Sequence, residues 1–227
     1  MKTILGFLSF SLSIIFCQSA SFSYKEISEQ SLQKHAQKTA KSSSLWLSGH
    51  INTLRLNKYK LYIRYSQSLF LKEINGQNWV LPSFQFGLKP SDNLMLSGKF
   101  FGVHLDEESP QIVGGGIHYI SGENQDWTIS LQKSALNGIN DFRIVSTLFH
   151  LDKRLQKSFY DFFIGFGINY FISNSYFSSA ELSKKIEGEL NYLSLAVAVP
   201  YKTINMCALS QLSSDNQLFQ LALVKGF

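Results

Sequence analysis

The sequence predicts an all-β chain that folds as an antiparallel up-and-down barrel of about ten strands, within a range of about 8 to 12. From residue 45 onward, apolar and polar residues alternate with a period of two along most of the chain. The composition is 44% hydrophobic and 14% aromatic, but only 16% charged. No apolar run reaches the ~18 to 20 residues of a membrane-spanning helix. An aromatic-rich chain without a spanning helix is expected to fold as a soluble β-domain or as a closed membrane barrel.

The first twenty residues have the pattern of a secretory signal peptide. Lys2 provides the positive start, residues 4–16 are apolar, and Ser19 and Ala20 are small residues suited to cleavage. We therefore assign residues 1–20 to a signal peptide that exports the chain. Removal of this segment leaves Cys207 as the one cysteine, so no internal disulfide is expected.

Residues 21–44 are polar and rich in Lys, Ser and Gln. Leu32, Ala36 and Ala40 have a weak helical spacing, but the composition favours a disordered leader. We predict that the barrel occupies residues 45–227. Alternation over residues 45–51 also allows an additional N-terminal strand.

Ten segments show strand periodicity. They cover residues 58–67, 80–89, 94–104, 111–120, 127–134, 141–150, 159–172, 186–199, 201–211 and 218–227. The strand around Tyr192 breaks the alternation, and we predict a β-bulge there.

One segment separates its two faces most clearly. Its apolar face is Tyr160, Phe162, Ile164, Phe166, Ile168 and Tyr170. A soluble lipocalin-like barrel would turn this face inward, whereas a membrane barrel would turn it toward lipid. The two tyrosines lie ten residues apart, which in a tilted strand is about 25 Å of vertical rise and matches the apolar band of a membrane barrel. This spacing favours the lipid-facing assignment.

The C-terminal segment, residues 218–227, alternates and ends on an aromatic residue. Phe219, Leu221, Leu223 and Phe227 share one face, which is interrupted by Lys225. This segment resembles the closing strand of bacterial outer-membrane β-barrels, in which the terminal aromatic is an assembly signal. The resemblance implies a location in the cell outer membrane, and contacts with outer-membrane lipids, lipopolysaccharide and the barrel-assembly machinery.

Connection lengths agree with this orientation. If both ends of the barrel chain are periplasmic, the short connections 89–93, 121–126 and 199–202 are periplasmic, and residues 21–44 form a periplasmic leader. The longer connections 70–78 and 173–185 are then extracellular.

The polar face is expected to line the lumen with charged side chains that pair with one another. The predicted charge network comprises Lys60, Arg64, Lys99, Arg143, Asp161, Glu187 and Glu189. Within it we expect Arg143 to pair with Glu187 or Glu189. Such a network either plugs the barrel or lines a narrow polar channel.

The expected function is that of a non-enzymatic integral outer-membrane protein, either a structural barrel or a narrow porin-like channel. A secreted lipocalin-like ligand-binding barrel is the alternative. An acyl-lipid hydrolase is a more distant one, because His104 and Ser109 share a single loop segment with no partner on a second strand.

Cofactors and nucleic acid are not expected. His35, His50 and His150 lack metal-ligand spacing in the sequence, which predicts no metal and no other cofactor. The formal net charge of +5 is spread along the chain, so no nucleic-acid partner is predicted.

Overall fold

A computed structural model describes most of the chain after residue 18. The described residues are 19–24, 29–50, 59–102, 108–177 and 179–227. Apart from residues 19 and 20, the predicted signal peptide lies outside the described residues, as does His104.

The described residues form one α-helix and a closed antiparallel barrel of ten strands. The helix is α1 (Glu29–Leu47). The strands are β1 (Leu61–Phe70), β2 (Val80–Ser91), β3 (Leu94–Gly102), β4 (Gln111–Ser121), β5 (Trp127–Asn137), β6 (Phe142–Gln156), β7 (Asp161–Ser175), β8 (Lys185–Tyr201), β9 (Ile204–Leu212) and β10 (Gln217–Gly226). Each strand pairs with the next along the chain, and β10 pairs with β1. The predicted fold class and strand number are therefore confirmed.

The barrel has two distinct ends. Connections 71–79, 138–141, 176–184 and 213–216 lie at one end, which we call the loop end. Connections 92–93, 122–126, 157–160 and 202–203 lie at the other, which we call the Phe227 end. The Phe227 amide donates to the Leu61 carbonyl at 2.8 Å, and the Lys60 amide donates to the Phe227 carbonyl at 3.2 Å. The last residue therefore completes the seam between β10 and β1.

Burial alternates along the strands, as the period of two predicts. In β7, Phe163, Gly165, Gly167 and Asn169 face the interior, while Ile164 and the other even-numbered residues face outward. The bulge predicted near Tyr192 is wrong, because β7 and β8 pair without interruption from residue 161 to residue 174.

Tyr192 and Leu190 both point inward and are buried. The ring of Tyr192 lies over Gly167, where a Cβ atom would overlap it. The inner face of β8 is apolar at these positions because another element fills the lumen and packs against it. The alternation within a single strand does not predict this contact.

That element is α1, which occupies the lumen. Leu32, Ala36 and Ala40 are buried on one face of the helix, and all residues from 42 to 50 are buried. The helix packs against the inner faces of β5 to β8, in one cluster with Phe142, Ile144, Leu148, Phe171, Leu190 and Tyr192. The predicted disordered leader is therefore wrong, as is an additional strand at residues 45–51, since residues up to Leu47 are helical.

The helix forms because its apolar residues recur at helical spacing and the lumen supplies an apolar wall against which they pack. It begins near the loop end and is about 28 Å long. None of the helices among the described residues is long and apolar enough to cross a membrane.

The closing seam yields a prediction. Deletion of Phe227 should reduce barrel assembly, because it removes the three backbone hydrogen bonds that join this residue to Lys60 and Leu61. Assembly is measured by the heat-dependent gel shift of the folded barrel. Phe227→Leu keeps the backbone bonds and an apolar side chain, and should assemble better than the chain that lacks residue 227. If the chain that lacks Phe227 assembled as well as the wild type, closure of the seam would not depend on this residue.

Candidate functional site inside the barrel

The chain before α1 is anchored at the loop end. Ser19 forms an isolated bridge with Val80. Phe22 meets Trp79 edge to face at 4.7 Å, and Tyr24 stacks on Phe142 at 5.5 Å. The aromatic contacts place residues 19–24 against the inner rim of the barrel.

The first part of α1 binds the connections of the same end. Lys41 forms an ion pair with Asp215 at 2.8 Å, and the hydrogen bond and charge of Lys41 hold the pKa of Asp215 below its ordinary value. Asn75 donates to the Thr39 hydroxyl at 2.8 Å. The ion pair is exposed and contributes little to stability, but together these contacts fix where the helix enters.

The C-terminal end of α1 is held by charged and amide side chains of the wall. Lys99 donates to the Leu47 carbonyl at 2.7 Å and also to the Gly49 carbonyl. Arg64 donates to the His50 carbonyl at 2.6 Å. The C-terminal end of a helix carries unpaired carbonyls and a partial negative charge. Buried cations donate hydrogen bonds to these carbonyls and also oppose this charge. We call Arg64, Gln85 and Lys99 the clamp.

Gln85 completes the clamp by donating to the Gly49 carbonyl at 2.7 Å. It also accepts a hydrogen bond from Arg64 at 3.0 Å, and the other arm of Arg64 binds the Gln220 side-chain oxygen at 2.5 Å. About one turn before the C-terminal end of the helix, Asn169 donates to the Ser44 carbonyl at 2.7 Å. The helix and the three residues after it therefore form a plug, residues 29–50, bound to the wall by directional hydrogen bonds.

The structure divides the predicted charge network into two groups. Arg64, Lys99 and Asp161 are buried inside the barrel. The other four residues are exposed: Lys60, Arg143, Glu187 and Glu189. Placing these four in the lumen, and pairing Arg143 with Glu187 or Glu189, is therefore wrong. Apolar residues of β6 and β8 face the plug, which turns their charged neighbours outward.

The residues predicted to face lipid lie on the outer wall. Tyr160, Ile164, Phe166, Ile168 and Tyr170 are 37–45% exposed, and Phe162 is partly buried. Of the predicted assembly residues, Leu221, Leu223 and Phe227 are exposed on the same outer surface, and Phe219 is partly buried there.

A buried cluster of ionisable side chains was missed by the sequence analysis. His50 of the plug and His150 of β6 lie with ring centroids 3.8 Å apart. Asp152 reaches both: its Oδ2 is 3.3 Å from His50 Nε2 and 2.9 Å from His150 Nδ1. The three residues are 0–3% exposed. His150 and Asp152 alternate onto one strand face, but nothing in the sequence places His50, a hundred residues away, beside them.

His118 lies in the same wall but is satisfied differently. Its two ring nitrogens are each 2.8 Å from a hydroxyl, those of Ser97 and Ser130. This pairing accounts for both nitrogens, so His118 is a structural histidine of the barrel wall.

Neither a protein-family model nor a curated protein matches the chain. Several solved barrels are similar in shape. A KdgM porin in complex with disordered oligogalacturonate is 8% identical, with 73% of this chain and 99% of that chain covered and a TM-score of 0.41. An outer-membrane channel from Pseudomonas putida F1 is 12% identical over 78% and 100%, with a TM-score of 0.43. The β domain of a Bordetella autotransporter is 8% identical over 74% and 98%, with a TM-score of 0.43. At this level of similarity we draw no functional conclusion from these structures.

The clamp yields a prediction about the plug. Lys99→Met should loosen residues 29–50, because it leaves the buried Leu47 carbonyl without its side-chain donor, at a cost of about 1–3 kcal/mol. The expected result is roughly tenfold faster proteolytic cleavage of the plug in the refolded barrel, since about 1.4 kcal/mol corresponds to a factor of ten. Lys133→Met is the matched control, because Lys133 is exposed on the outer wall. Equal cleavage rates for the two variants would show that the clamp does not hold the plug.

Proposed function

We propose that this chain is a non-enzymatic integral barrel of the bacterial outer membrane, a narrow porin-like channel closed by its own N-terminal plug. The observation that carries the proposal is the combination of an apolar outer wall with a lumen filled by α1. The outer wall argues for lipid, and the plug argues for a closed state.

The outer wall is apolar over a continuous belt. Outward residues of all strands include exposed large apolar side chains, among them Ile63, Phe86, Phe100, Val113, Ile117, Leu131, Phe149, Ile164, Leu193, Leu195, Leu221 and Leu223. Soluble monomers rarely expose a contiguous apolar surface of this kind, and lipid is the solvent that suits it. A closed barrel also leaves no strand edge unpaired, as a bilayer requires.

A group of exposed charges lies beyond this belt, toward the loop end. Glu189 is the register partner of Tyr170 on the neighbouring strand. Glu187 is the next outward-facing residue of β8 toward the loop end. Arg143 is the register partner of Asn174, also near the loop end. This distribution supports a bilayer boundary near Tyr170. We propose that the loop end faces outward from the cell, where Lys185 and Arg143 could meet lipopolysaccharide phosphates.

The inner wall would favour water once the plug moved. Its buried polar side chains include Ser66, Ser83, Gln85, Ser130, Gln132, Ser134, Ser146, Ser194, Gln211 and Gln220. A polar lining of this kind is typical of a channel. The interior near the Phe227 end also contains the buried apolar side chains of Tyr62, Met95, Ile120 and Phe163, which would keep an opened channel narrow.

The alternatives have less support. A lipocalin-like barrel would turn its apolar face inward and its polar face toward water, the reverse of the burial in β7. The hydrolase alternative depended on His104, which lies outside the described residues, and we propose no enzymatic role for this chain.

Lipid exposure of β7 can be tested by charge substitution. Ile164→Arg should reduce the free energy of unfolding in lipid vesicles by about 2–4 kcal/mol, because an arginine near the bilayer midplane loses hydration. Asn174→Arg, on the same face of β7 but near the loop end, should cost roughly 0–1 kcal/mol. Denaturant titration in vesicles measures both. Equal costs would argue for a barrel whose outer wall faces water.

The closed state can be tested by conductance. In a planar bilayer, the refolded wild-type barrel should show no steady current, whereas a chain lacking residues 21–50 should show small, steady openings. Lys133→Met, which leaves the plug intact, is the control and should stay closed. Folding of each variant is checked first by the heat-dependent gel shift. A folded deletion variant that remains silent would contradict the channel and leave a structural barrel.

A further inference from the structure

We infer that His50, His150 and Asp152 form a binding site for one divalent transition-metal ion, such as Zn²⁺, which fastens the plug to the barrel wall. The inference requires only the plugged barrel, and it holds whether or not the barrel conducts. The site is made by two separate parts of the chain, since His50 belongs to the plug and the other two residues belong to β6.

The distances fit a shared ion. Two ligand atoms that each lie about 2.0–2.2 Å from one tetrahedral ion are roughly 3.3–3.6 Å apart. The Asp152 Oδ2 atom lies 3.3 Å from His50 Nε2 and 2.9 Å from His150 Nδ1. One ligand atom from each residue falls within 4.8 Å of the others. Two imidazoles and one carboxylate are a common ligand set for divalent transition metals.

The polar atoms of the cluster lack good partners. Both ring nitrogens of His50, Nδ1 of His150 and both carboxylate oxygens of Asp152 are buried without a hydrogen bond of acceptable geometry. The nitrogen and oxygen atoms are therefore close together without the directionality of a hydrogen bond. Burying five such atoms unpaired is costly, and a bound cation would satisfy at least one on each residue.

The surroundings prepare His150 as a ligand. Its second nitrogen, Nε2, lies 3.0 Å from the Ser194 hydroxyl. With Nε2–H donating to Ser194, the lone pair of Nδ1 points toward Asp152 and is free to bind metal. On the neighbouring strand, Gly165 leaves the room the cluster needs, because a Cβ atom there would come within 2.6 Å of Asp152, His150 and Ser194.

A proton shared between the histidines and Asp152 is the competing explanation for the cluster. A shared proton would account for the short distances between Asp152 and the two histidines without a metal ion. The two explanations differ because only a metal site would bind a divalent cation in the isolated protein. Refolding the full mature chain with Co²⁺ and removing excess ion distinguishes them, because four-coordinate Co²⁺ absorbs visible light.

We expect one equivalent of Co²⁺ per wild-type chain, with visible absorption that Zn²⁺ displaces. His50→Ala and His150→Ala should each weaken binding by about tenfold or more, whereas the control His118→Ala should keep one equivalent. Zn²⁺ should also slow proteolysis of the plug in the wild-type chain, but not in the His50→Ala chain. His50 lies outside the strands, so this variant provides the test even if the wall variant fails to assemble.

Absence of bound Co²⁺ in the folded wild-type barrel would overturn the inference and favour the shared proton. Equal binding by wild type and the His50→Ala variant would overturn it as well, because the ion would then occupy another site. Loss of binding in His118→Ala but not in His50→Ala would move the ion to a different part of the wall.

Discussion

Closure of the sheet between β1 and β10 is the constraint on which the rest of this structure depends. In the bilayer location that we propose, no water is present to bind unpaired backbone groups, so each strand must pair on both sides. Phe227 completes the last pair with Leu61. Closure with ten strands then leaves a lumen slightly wider than the eight-strand size that wall side chains fill alone. The extra space must hold water or protein, and in this chain it holds residues 29–50.

Backbone groups of the plug must also find hydrogen-bond partners inside the barrel. A helix that ends inside a barrel brings unpaired carbonyls into a space with little water. Arg64 and Lys99 supply the donors, and their positive charges oppose the negative end of the helix dipole. Two buried cations that would be costly alone are therefore stabilised by the element they hold. The same arrangement makes the plug removable in principle, because its clamp is made of polar contacts with the wall.

The metal site and the clamp act at neighbouring points of one segment. The clamp binds the backbone of residues 47–50, and the inferred ion binds the side chain of His50. Hydrogen bonds orient the helix end, whereas a metal ligand would make its attachment depend on a small cation. The plug would then be attached to the wall in two ways. The hydrogen bonds of the clamp form whenever the barrel folds, whereas the bond to the metal ion forms only when metal is available.

The sequence by itself determined the strand number, the approximate strand positions and the outer faces of β7 and β10, because an alternation of period two depends only on the local backbone. Alternation placed Ile164 and Phe166 on one face, and the spacing of the tyrosines at the two ends of that face indicated that it points outward. Only the tertiary structure decided what fills the barrel. Residues 29–47 lack a strong helical signal and become a helix because the lumen supplies their apolar partner. Arg143, Glu187 and Glu189 were therefore assigned to the wrong face, and His50 met His150 only through folding, since contacts between distant segments leave no periodic trace in the chain.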